Sequence, residues 1–214
     1  MNKSISDNNK IGSLFKIIFV LIILQVLLNC FESFILLFCE RTNFVDSMVS
    51  MISMIIMSIL FILFCKKKEI DLSIFPKKFT KTYIIFTFLG IFLLVLTPSN
   101  FSGKIEPILL LIYSSIVTPI FEEIIFRGYA WNKLNTILKK EYITYIIDTL
   151  LFGLWHLGYI SSIAFRADGG LSKIMLWKVI VGICFGIILG ALRIKTKNVY
   201  STIFLHGLMN IFGR

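Results

Sequence analysis

Seven apolar runs follow one another along this chain, separated by short polar connections. They extend roughly from Leu14 to Phe38, Val45 to Cys65, Tyr83 to Thr97, Ile105 to Leu134, Tyr142 to Ile160, Ile174 to Ile194 and Val199 to Phe212. A helix needs about 20 mostly apolar residues to cross a bilayer, and runs without two-residue alternation do not suit a membrane barrel. Composition agrees, with 57% hydrophobic and 16% charged residues in 214. A soluble core of this length has nowhere to hide so much Phe, Ile and Leu. The predicted fold is therefore all-α, a polytopic transmembrane bundle of about seven spans. The first run lacks a small-residue cleavage site and is longer than a signal core, so it reads as a retained span.

The net charge of +10 resides mostly in the connections, as membrane-flanking charge does. With the N-terminus in the cytoplasm, fifteen Lys and Arg fall on the inner face and five on the outer, leaving Arg127 and Lys178 aside. The asymmetry predicts an integral membrane protein with a cytoplasmic N-terminus and an outer C-terminus, embedded in lipid. No basic stripe with interleaved aromatics occurs, which argues against nucleic-acid binding. Cys30, Cys39, Cys65 and Cys184 stand singly, without C-x-x-C spacing, and read as apolar fillers.

Ionisable side chains inside a bilayer are costly and mark functional positions. Glu32, Glu122, Glu123, Asp148 and Arg127 all fall within apolar runs, and so do His156 and His206, the two histidines of the chain. Glu123 and Arg127, four residues apart, are expected to pair along one helix face, with Glu122 about 100° away around the axis. Thr118-Pro119 is expected to free a carbonyl and kink this helix. Asp148 precedes His156 by eight residues, about 12 Å along the axis. That is too far to orient the imidazole, so Asp148 is assigned an outer-layer role or an interhelical hydrogen bond. His206 and Asn210, at i and i+4, share a face. Counting rise from the span ends puts Glu122, His156 and Asn210 about 18, 21 and 17 Å deep, with His206 one turn shallower than Asn210, so the four can share a layer. Gly182, Gly186 and Gly190 form a ridge suited to close helix packing.

A carboxylate, two imidazoles and a carboxamide in a dry pocket suit hydrolysis of an amide by water. Glu122 accepts the water proton, His156 holds the water and assists proton delivery, and His206 and Asn210 donate to the oxyanion. No G-x-S-x-G occurs, and no Cys has a base beside it in the sequence. A cofactor is not specified: the site works with none, or with a divalent metal such as zinc. A metal, if present, would take Glu122, His156 and His206, although H-E-x-x-H is absent.

Glu-Glu-x-x-x-Arg at 122–127, Phe-x-x-x-His at 152–156 and His-x-x-x-Asn at 206–210 resemble the three motifs of the CPBP family. That family comprises CAAX prenyl proteases and bacteriocin-processing or immunity proteins. The resemblance divides the chain into N-terminal transmembrane helices over 1–104 and a catalytic transmembrane core over 105–214. It implies an intramembrane endopeptidase acting on a membrane-associated, lipidated or leader-bearing peptide or protein. Glu122 and His156 would activate water, and His206 and Asn210 would form the oxyanion site. Glu123 and Arg127 would support the motif structurally. A non-catalytic immunity or membrane interaction protein of the same family is the alternative, and a small transporter fits less well because no repeat symmetry is visible. Only four residues follow Asn210, so fraying over 212–214 is expected to loosen it.

Overall fold

The structure, a computed structural model, describes the backbone of residues 2–212 and the side chains of residues 10–212. It is helical, with no strand among the described residues. Seven helices correspond to the seven runs. They are α1 (Asn2–Leu36), α2 (Asn43–Lys67), α3 (Lys81–Val95), α4 (Ile105–Leu138), α5 (Glu141–Arg166), α6 (Leu171–Thr196) and α7 (Val199–Phe212). Five are long and apolar enough to cross a membrane, whereas α3 has 15 residues and α7 has 14. Large apolar side chains such as Phe19, Leu60, Phe88 and Leu150 are exposed around the outside, the surface that a bilayer covers. All four cysteines are free, three exposed and Cys65 buried.

Two helices outrun the apolar stretches that announce them. α4 continues to Leu138, where Lys139 turns into the left-handed region at φ 53° and stops it. α5 continues to Arg166, whose guanidinium reaches Asp46 on α2 at 2.7 Å. Arg41 meets the same carboxylate at 2.7 Å and the Ser161 carbonyl at 3.3 Å. These contacts gather the α1–α2 connection and the C-terminal end of α5 at one end of the bundle. At the opposite end, Val199 and Tyr200 donate their N–H groups to the Ser73 and Ile74 carbonyls at 3.0 and 2.8 Å. Asn132 donates to the Asp71 carbonyl there at 2.8 Å, and Lys197 pairs with Glu141. The lysine-rich connections therefore lie together, as the charge count requires.

Proline and a change of helical register break α4 in a useful way. The N–H of Thr118 reaches back five residues to the Tyr113 carbonyl, so the turn over Tyr113–Val117 is wide. Pro119 follows with no N–H at all. Pro119 thus cannot supply the N–H that would meet the Ser115 carbonyl in the α register or the Ser114 carbonyl in the wider one. α7 packs against this opening. Asn210 Nδ2 donates to the Ser114 oxygen at 2.7 Å, and a Cβ on Gly207 would stand 2.4 Å from the Ser115 oxygen. A second wide turn covers Ile124–Ala130.

The glycine ridge of α6 makes the close helix packing anticipated for it, and α5 is the partner. Added Cβ atoms would meet His156 Nδ1 at 2.8 Å from Gly182, Thr149 Cγ2 at 2.9 Å from Gly186 and the Tyr145 ring at 2.5 Å from Gly190.

Candidate active site

Glu122, His156, His206 and Asn210 line one cavity of about 360 Å³, reached from α4, α5 and α7. Glu123 and Arg127 lie behind its wall, fully buried. The two adjacent glutamates thus have separate surroundings because a helix turns about 100° per residue.

Behind the wall, Arg127 holds Glu123 Oε1 at 3.2 Å and approaches Asp148 Oδ2 at 3.5 Å. Its guanidinium stands 4.2 Å above the Phe152 ring. Asp148 therefore reaches across helices as an ion-pair partner of Arg127. Arg193, counted among the loop charges in the sequence, is instead buried: it donates to the Arg127 carbonyl at 3.0 Å and to Asn132 Oδ1 at 2.8 Å. The carbonyl it captures belongs to the second wide turn of α4, which is why a buried donor is needed there.

His206 stands between the two glutamates. Its Nδ1 is 3.0 Å from Glu123 Oε1, and its Nε2 is 3.9 Å from Glu122 Oε2. His156 Nδ1 is 2.9 Å from the Phe152 carbonyl, which only accepts. That contact assigns the proton to Nδ1 and leaves Nε2 as the free lone pair. Asn210 spends one amide hydrogen on the Ser114 carbonyl. Spacing placed His206 and Asn210 on one face; packing turns the imidazole to the carboxylates and the carboxamide to the broken backbone. Of the tail expected to fray, residues 213 and 214 lie outside the described residues. Phe212 is helical, and Asn210 is tied down.

Three features of the site escaped the sequence reading. Tyr159 donates to Glu122 Oε1 at 2.7 Å, and Trp155 Nε1 donates to the Tyr159 hydroxyl at 2.8 Å. α1 braces the turn that carries them, with Asn29 Nδ2 on the Gly158 carbonyl at 3.2 Å. Ser50 and Met54 bring α2 into the cavity wall, and Arg166 and Lys178 set cations on its lining.

The conditional metal set is not assembled. Among the described residues, no three His, Cys, Asp or Glu side chains are placed to hold a metal ion. Glu122 Oε1, His156 Nδ1 and His206 Nδ1 are each engaged with protein partners. These contacts leave Nε2 of each histidine and Oε2 of Glu122 as the remaining donor atoms, and no step below uses a metal.

The family model described as type II CAAX prenyl endopeptidase Rce1-like matches residues 104–212. The chain belongs to this family. The Rce1-like match spans α4 to α7, so it contains the acidic pair, both histidines and Asn210. No curated protein and no solved structure matches the chain. An Rce1-like protein is a CAAX-type intramembrane protease in general terms. The family assignment leaves to chemistry which groups act and on what.

Proposed function

We propose that this protein is an intramembrane endopeptidase that hydrolyses a peptide bond of a membrane-associated substrate with water as the nucleophile. The substrate is a lipidated or leader-bearing peptide or protein. This reading keeps the protein's own N-terminus in the cytoplasm, which the lysine-rich end of the bundle supports.

The observation that carries this reading is the state of Glu122. It is a buried carboxylate on the cavity wall, outside the Arg127 ion pair, with one oxygen directed toward His206. Arg127 is engaged by Glu123 and Asp148, and among the described residues no Lys or Arg pairs with Glu122. Glu122 instead takes the proton from water as the hydroxyl attacks the carbonyl carbon. His156, with Nε2 free, holds that water and assists the return of the proton to the leaving amine.

Across the cavity, His206 and Asn210 donate to the oxyanion. Donation from Nε2 while Nδ1 donates to Glu123 requires the imidazolium form. Asn210 has a second amide hydrogen beyond the one given to Ser114. Loss of one such donor lowers rates by roughly 10²–10³.

The test compares new protein N-termini in membranes carrying wild type or Glu122→Gln at matched abundance. Cleavages present with wild type alone are expected, and their sequences identify the substrate. Identical termini, with a protective phenotype retained by the variant, would replace the peptidase with an immunity or scaffold protein.

A further inference from the structure

The α-helix of α5 tightens over His156–Tyr159 into a turn with three residues per repeat. Residues i and i+3 eclipse in such a turn, which sets His156 and Tyr159 on one face. Both line the cavity, and their rings meet edge to face at 5.9 Å. The tightened turn is held on purpose-built contacts. Asn29 satisfies the Gly158 carbonyl, and Gly158 lets α1 approach, since a Cβ there would stand 2.1 Å from Gln25 Cδ.

We infer that Trp155 and Tyr159 form a donor relay that fixes Glu122 by one oxygen and leaves the other as the working base. The inference rests on the peptidase reading above and deepens it. Trp155 Nε1–H donates to the Tyr159 oxygen at 2.8 Å, and Tyr159 O–H donates to Glu122 Oε1 at 2.7 Å. Indole has only a donor to give, so the direction of the chain is set. Each bond polarises the next, and the phenol that accepts from Trp155 becomes a stronger donor to the carboxylate. Oε1 is thereby occupied. Oε2, facing His206 Nε2 at 3.9 Å, is the oxygen left to take the proton from water.

Tyr159 is on this account a positioning residue, acting through Glu122. A buried phenol needs some partner in any fold. Here the partner is the one acid that lines the cavity among the described residues, and the backbone changes helix type at that point. The Trp155 ring packs edge-on to Phe126 at 5.4 Å, which holds the first donor of the relay in place.

The test uses the full-length protein in membranes with Tyr159→Phe, which keeps the ring and removes only the donor. On a substrate identified from the wild-type termini, kcat is expected to fall about tenfold to a hundredfold, with KM unchanged within threefold. Difluorotyrosine at 159, a more acidic phenol of similar shape, is expected to restore kcat. A second readout needs no substrate: an apolar carbodiimide modifies Glu122, followed by mass spectrometry. With Oε1 released, modification of the Tyr159→Phe protein is expected to be severalfold faster.

Unchanged kcat together with unchanged modification overturns the relay. So does a parallel loss of kcat, KM and thermal stability, which a purely structural tyrosine would give. Faster modification in a protein whose wild type cleaves nothing keeps the relay and removes the peptidase reading, so the two failures separate.

Discussion

Arg127 is fixed by three different attractions: Glu123 at 3.2 Å, Asp148 at 3.5 Å and the Phe152 ring face at 4.2 Å. Removing a partner from a buried ion pair costs about 3–5 kcal/mol, because the remaining charge stays buried and uncompensated. Arg127→Ala is therefore expected to lower abundance in the membrane sharply, whereas Glu122→Gln leaves it near wild type. Quantitative immunoblotting of the two variants checks this, and equal levels would remove the structural role of Arg127. These residues were legible in the sequence for one physical reason: ionisable groups are rare in apolar runs, so each one stands out. Tyr159 and Asn29 were not legible. Tyr and Asn are ordinary at interhelical positions, and what they bond is decided by helices far away in the chain.

The joint between α4 and α7 depends on backbone meeting backbone. Gly207 places its Cα so close to the Ser115 oxygen that an added Cβ would stand at 2.4 Å. Gly90 on α3 is as close to α7, but its neighbour at 2.3 Å is the far edge of the Phe204 ring, a side chain able to swing aside. Gly207→Ala is therefore expected to cost roughly 1–3 kcal/mol and to pull Asn210 away from Ser114. Gly90→Ala is expected to cost less. Thermal melting in detergent compares the pair; equal melting shifts would show that the carbonyl contact is not what holds α7. Pro119 announced a break in α4, and the glycine ridge announced a close helix contact on α6, though not which helix fills it. The two wide turns and the tightened one in α5 were invisible, because helical register is set by which carbonyls neighbouring helices are ready to satisfy.

Across the whole bundle, charge at the two ends gives an orientation that one thiol reports. Cys39 is exposed in the connection at the Arg41 and Arg166 end, opposite the lysine-rich loops. A membrane-impermeant maleimide is expected to label Cys39 in intact cells. Labelling that requires permeabilisation would invert the orientation. The seven helices, five of them long and apolar enough to cross a membrane, were readable from the apolar runs, since that pattern is imposed by the bilayer and not by packing. Two of the runs carry a further consequence. α3 and α7, neighbours across Gly90 and Phe204, are 15 and 14 residues long. At about 1.5 Å per residue they extend little more than 20 Å, against roughly 30 Å of hydrocarbon. Such hydrophobic mismatch is met by thinning of the adjoining leaflets, by snorkelling of flanking residues or by oligomerisation. Any thinning beside α3 and α7 would fall next to the helix that bears His206 and Asn210, and would shorten the route of water to that wall of the cavity.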